Sequence, residues 1–213
     1  APARGACRAT RTRRRSMVKQ ERAARTRQAL IRAGAEVFAE EGFVRASLTT
    51  ISRRAGVSNG ALHFHFASKQ ALTEAIVAEA LEVVRQIVRD AGARGGGPLE
   101  ALVEATHRLL RRIGDDVVVR AGFELSDDPG AGAGPGLRRE WQGWVQGVLL
   151  QAGEDGWLAE EVSADDAATA VVAATTGFEV LGGTDRTWLS EERVAGFWDL
   201  LLPRLTGRGP RRH

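Results

Sequence analysis

Apolar residues recur along this chain at intervals of three and four. Between residues 20 and 41, Ala24, Leu30, Ile31, Ala35 and Phe38 share one side of a helical projection, the spacing of an amphipathic helix. Gly42 closes that run, and Phe43 is placed to fold back on it as in a glycine-terminated helix. Leu48, Ile51 and Ala55 mark a short helix over 48–55 with Ser47 as its N-cap; Gly56 breaks it, and Val57 plugs the turn. Ser58 caps another short helix, 59–65, whose Leu62 and Phe66 point inward. Ser68 caps a long one, about 69–90, with Leu72, Ile76, Leu81, Val84 and Val88 on its apolar side. The stretch AGARGGGP reads as a linker. Further helices are predicted at about 98–113, 115–126, 137–152, 164–181 and 190–205. No segment alternates with period two over a strand's length, and no unit repeats. The expectation is an all-α fold of about nine helices.

Composition changes this picture in three ways. The chain has 213 residues, 43% hydrophobic and 27% charged, enough to enclose a core, and no apolar run approaches the roughly 18 residues that span a bilayer. Charge is divided unevenly. Residues 1–69 carry a net +11 and residues 70–213 a net −8, which suggests a polyanion-binding module joined to something else. Six of the arginines lie within residues 1–16; without them the N-terminal part is still +5. Cys7 is the only cysteine, which excludes internal disulfides and a cysteine-rich metal site and fits a reducing cytoplasm. The only methionine is Met17, so a natural start there is an expectation, with residues 1–16 an upstream extension or a cloning remnant. No apolar segment follows the basic N-terminus, which argues against a secretory signal.

The stretch GVSNGALHFHFASKQAL, residues 56–72, carries the candidate chemistry. Helix, short glycine turn and second short helix form a helix-turn-helix pattern. Its second helix presents Ser58, Asn59, Gly60, Ala61, His63 and His65, small and hydrogen-bonding groups suited to a DNA major groove about 12 Å wide. Ser47 and Thr49, at the start of the preceding helix, join this set. Lys69 lies in the first turn of the 69–90 helix, where its charge opposes the helix dipole; a phosphate beside it would compensate. Each has a plainer reading: a packing or capping role for one histidine, a solvated lysine for Lys69. His63 and His65, two residues apart, point to different helix faces and do not form a metal pair.

LTTISRRAGVSNGALHFHFASKQAL resembles the signature of tetracycline-repressor (TetR) type regulators, G-V-S/T-x-G-x-L-Y-x-H-F-x-x-K-x-x-L. Gly56, Val57, Ser58, Gly60, Leu62, His65, Phe66, Lys69 and Leu72 match it. His63 departs from it, standing where the family usually has a phosphate-contacting tyrosine; a histidine there makes the contact pH-sensitive. The resemblance covers about residues 20–75. It implies a homodimer that binds double-stranded DNA at a palindromic operator, takes a small-molecule effector and needs no cofactor or metal. The domains expected are a disordered basic tail (1–18), a helix-turn-helix domain (19–67), a ligand-binding and dimerisation domain (68–206) and a disordered tail (207–213). The expected location is the cytoplasm, at the nucleoid, with no membrane partner.

The C-terminal half is similar to the γ-butyrolactone receptor subgroup through VVRAGFEL (118–125), EWQGW (140–144) and GFEVLGG (177–183). That subgroup places a tryptophan in its ligand pocket, and Trp141 holds the matching position. The resemblance implies a repressor released by a butyrolactone-like, furan or antibiotic-like signal, the last being typical of basic "pseudo-receptors". Phe123, Phe178 and Val119 are further candidates for the pocket wall, with Trp144 structural; core packing is the alternative for both tryptophans. The loop DDPGAGAGPG (127–136) is a flexible connection or a pocket gate. Ala170, Ala174 and Gly177 form a stripe of small residues, and the last two helices are the expected dimer interface. Glu179 is either a rim charge or the buried partner of an arginine. Nothing resembles a nucleophile elbow or a phosphate-binding loop, so an enzyme is not expected. The remaining alternatives are an efflux or catabolic regulator with an unrelated ligand, or an architectural DNA-binding protein with none.

Overall fold

A computed structural model describes the backbone of residues 4–132 and 136–206, with side chains from residue 17 onward. Among the described residues there are nine α-helices, one 3-10 turn and no strand: α1 (Arg4–Arg45), α2 (Leu48–Arg54), α3 (Asn59–His65), α4 (Lys69–Gly92), α5 (Pro98–Asp115), α6 (Val117–Asp127), α7 (Leu137–Glu154), α8 (Ala164–Gly182) and α9 (Glu191–Leu205), with the 3-10 turn at Arg186–Leu189 before α9. Among the described residues no helix is long and apolar enough to cross a membrane.

The elements begin and end where side-chain chemistry directs. Ser47, Ser58, Ser68, Asp116, Ser163 and Ser190 each accept a hydrogen bond from a backbone N–H of the following helix, satisfying donors the first turn leaves open. Gly42 adopts φ +77° and breaks the regular path of α1, and Phe43 packs on Phe38 with ring centroids 5.8 Å apart. Gly56, at φ +68°, turns the chain between α2 and α3, a conformation that costs glycine little.

Residues 4–18 differ from the expectation of a disordered tail: their backbone continues α1. Arginine and alanine, which dominate there, are strong helix formers, and no Pro or Gly lies between Ala6 and Val18. The expected tail at 207–213 lies outside the described residues.

α1–α3 enclose a small core of Leu30, Ile31, Phe38, Ile51, Leu62 and Phe66. It is continuous with the larger one because α4 supplies Leu72 and Ile76 to α1 and Ala80, Val84 and Ile87 to the C-terminal helices. α6 packs extensively on α4 and also on α1. Its approach to α4 is so close that a Cβ on Gly122 would lie 2.4 Å from that of Ala80. α7 packs chiefly on α8, and α5 lies under α7, α8 and α9.

Candidate DNA-binding surface and ligand slit

α2 and α3 share one outward face. Ser47, Thr49, Ser58, Asn59, Gly60 and His63 are exposed on it, while Ala61 and His65 are half-buried. Leu62 and Phe66 hold α3 from behind, with the Arg27 guanidinium over the Phe66 ring at 5.3 Å. Ser58 Oγ accepts from the Ala61 N–H at 3.1 Å, so its hydroxyl proton remains available to donate outward. The sequence reading passed over Phe64, which is 81% exposed. Its signal was present: two residues beyond the inward Leu62, it is rotated about 200° away on a helix. The ring stands edge-on to His65, centroids 5.2 Å apart.

Lys69 departs from its expected place. Its Nζ donates to the carbonyl oxygens of Phe43 (2.6 Å), Ala46 (3.1 Å) and Val44 (3.3 Å), and lies 4.4 Å from the centroid of the Phe43 ring. An ammonium has three donors, and all three are used. The charge misplaced for the dipole of α4 is well placed for the carbonyl end of α1. Lys69 therefore ties α4 to the end of α1.

In the C-terminal half, Trp141 is 3% exposed, and its Nε1–H donates to Thr175 Oγ1 on α8 at 3.0 Å. A slit of about 10 Å³ runs along it, lined by Leu109, Leu110, Ile113, Phe123, Arg138, Thr175, Thr176 and Glu179. Of the expected wall residues the structure brings Phe123 to Trp141. Val119 is buried one turn earlier on α6, away from the slit lining. Phe178 faces the other way, packing on Phe197 (5.9 Å) and Trp188 (6.4 Å) beneath the 3-10 turn. Trp144 is only half-buried; its ring lies 5.0 Å from that of Trp141 and lines an outer cleft between α4 and α7. It packs against the core from its edge, as expected of a structural residue, while one side of its ring stays open to the cleft.

The polar end of the slit was legible only in part. Glu179, 8% exposed, accepts from Arg138 Nε at 2.8 Å and Nη2 at 3.0 Å, and Arg138 also pairs with Asp127 at the end of α6. One guanidinium thus joins α6, α7 and α8. Burial pushes the Glu179 carboxyl above the ordinary carboxylate range, with Arg138 opposing the shift. Burial likewise raises Glu124, and it lowers Arg120, beside which the Arg186 charge acts in the same direction. Among the described residues no His/Cys/Asp/Glu group is arranged to hold a metal ion.

Comparison with known proteins now places this geometry. Residues 30–76 match the model for bacterial regulatory proteins of the tetR family. The chain is 31% identical over 197 residues to the A-factor receptor protein of Streptomyces griseus, covering 91% of this chain and 68% of that one. It is similar to the crystal structure of a γ-butyrolactone receptor, an ArpA-like protein, with a TM-score of 0.74, 30% identity and coverage of 87% and 90% of the two chains. It is also similar to CprB of Streptomyces coelicolor in complex with its operator sequence, with a TM-score of 0.72, 30% identity and the same coverage. The chain belongs to the tetR family of bacterial DNA-binding transcription regulators, on the branch of the γ-butyrolactone receptors.

Proposed function

We propose that this protein is a repressor that leaves a palindromic operator when a small, mostly apolar signalling molecule enters the slit at Trp141. The recognition surface is the exposed face of Ser47, Thr49, Ser58, Asn59, Gly60, His63 and Phe64, with Asn59 suited to adenine and Phe64 to a thymine methyl. The effector is of butyrolactone or furan type, or an antibiotic-like ring, and the controlled genes serve secondary metabolism. The A-factor receptor and γ-butyrolactone receptor relatives support that ligand class.

One observation carries the mechanism. Phe123 lines the slit, and its neighbour Gly122 lies against Ala80 of α4. A slit of about 10 Å³ is far below the several hundred Å³ of small-molecule sites, so an effector must move its walls. A ligand carbonyl would take the Trp141 N–H from Thr175, and displacement of Phe123 would carry α6 against α4 and α1. α4 leads directly into α3, so the recognition helix moves with it. A switch from 1:99 to 99:1 between bound and released forms needs an effector preference of about 5.5 kcal/mol.

The test is operator binding by fluorescence anisotropy with and without a γ-butyrolactone, for the parent, Trp141→Phe and Trp141→Ala. Both variants should bind operator as the parent does and resist release, Trp141→Phe keeping the wall but losing the N–H. Release of both at the parent's ligand concentration would remove Trp141 from the effector site.

A further inference from the structure

Between α4 and α7, on the outer side of Trp144, lies a cleft of about 440 Å³ lined by Val84, Arg85, Val88, Arg89, Arg139, Glu140, Gly143 and Trp144. It shares no lining residue with the slit at Trp141, and the rings of Trp141 and Trp144, tilted at 38° with centroids 5.0 Å apart, bring the two close. We propose that this cleft is a second ligand site, for a flat apolar molecule bearing one carboxylate.

Four features specify that occupant. The volume lies within the 300–1,000 Å³ range of small-molecule sites. The walls are Val84 and Val88 on one side and the Trp144 ring on the other, an arrangement that receives a planar apolar body. Gly143 sits in a helix interior, where glycine costs about 1 kcal/mol relative to alanine. No neighbouring element accounts for it: a Cβ there would meet nothing within 4 Å. Gly147, outside the lining, is equally open, so Gly143 marks only where no side chain of α7 fills the cleft. Finally, three guanidinium groups face one carboxylate in the lining. Arg85 is paired with Glu140 at 3.0 Å, and Arg89 with Glu82 at 2.7 Å. Arg139 stands one turn before Gly143 on the same face of α7, exposed and placed to take the ligand's carboxylate. Such an occupant would touch α4 at Val84 and Val88, on the helix that leads into the recognition helix.

The probe is 2-naphthoate, compared with its neutral methyl ester, titrated calorimetrically into the full-length protein. The acid should bind the parent with one saturable site per chain and at least tenfold more tightly than the ester. Gly143→Met, which fills the cleft, should weaken the acid at least tenfold. Gly147→Met, one turn further along α7 and outside the lining, should bind as the parent does. Arg139→Gln should weaken the acid at least fivefold and leave the ester unchanged, an independent check should Gly143→Met fail to fold. Trp141→Phe should retain binding of the acid. Equal affinity for acid and ester, undiminished binding to Gly143→Met, or loss of binding in Trp141→Phe alone would overturn the proposal. The last result would place the probe in the inner slit.

Discussion

Asn59 and Phe64 are both exposed on α3, so replacing either tests recognition without emptying a core. Asn59→Ala should cost about 1–3 kcal/mol on the operator and relax discrimination at one base position. Phe64→Ala should weaken the operator by up to about 1.5–3 kcal/mol, the worth of a fully buried Phe side chain. Titration against operator and scrambled duplexes, with thermal unfolding as control, checks both; unchanged affinity in both variants would mean that another face meets the DNA. Lys69 separates two roles by salt. A phosphate contact would change the slope of log affinity against log salt by about 0.9 when lost. A tie between α1 and α4 would instead cost about 1–3 kcal/mol of stability. Lys69→Met is expected to lower the melting temperature and leave the salt slope as it was. Glu179 gives a pH signature. Its carboxyl is raised by burial, so the folded state favours the protonated form. That stabilisation is fully present below the ordinary carboxylate pKa and is lost as pH rises through the elevated folded value. Glu179→Gln should flatten the fall of stability above about pH 4. A parent whose Glu179-dependent stability instead rises with pH would show that Arg138 outweighs burial.

The contact of α6 with α4 transmits the switch in the proposed mechanism, and Gly122 is where it is closest. A methyl group there meets the Cβ of Ala80 at 2.4 Å, not the movable end of a long side chain. Gly122→Ala is therefore expected to cost about 1–3 kcal/mol through overpacking, a fall of roughly 2–12 °C in melting temperature. Ala80→Gly in the same chain should restore most of it, because the second change removes the atom that clashes. No recovery would mean the strain lies elsewhere. Elements were largely legible from sequence because caps and periodicity are local: serines 47, 58 and 68 and glycines 42 and 56 marked their boundaries. What sequence left open depended on partners far along the chain. Trp141 and Trp144, three residues apart on α7, differ by only about 60° in direction. Which was buried depended on where α4 and α8 lie. Phe178 was misplaced because the 3-10 turn over it, Arg186–Leu189, leaves no periodic signal. The dipole mismatch of Lys69 was readable, but the carbonyls that resolve it belong to backbone 23 to 26 residues earlier.

At the scale of the whole molecule, the described residues leave apolar side chains exposed on α8 and α9. Leu200 on α9 is 83% exposed, Val180 and Leu181 at the end of α8 are exposed, and Phe197, Leu201 and Leu202 on α9 are half-buried. Along α8, Ala170 is exposed and Ala174 and Gly177 are half-buried; a Cβ on Gly177 would meet nothing within 4 Å. Small residues of this kind let a second helix approach closely, and the same patch on two copies makes a two-fold interface. Pairing through α8 and α9 would leave α3 of each protomer free to enter successive major grooves, about 34–36 Å apart. Binding a second half-site is then an intramolecular event, with an effective concentration in the millimolar range. Leu181→Asp together with Leu200→Asp places charge in the centre of this patch without touching the core of one chain. Sedimentation should give a monomer at micromolar concentration, with helix content unchanged. Affinity for a full palindrome should fall by about 10²–10⁴, toward that for a single half-site, while affinity for an isolated half-site stays the same. A variant that remains dimeric, or a monomer that binds the palindrome as tightly as the parent, would show that the two recognition helices are not coupled through this face.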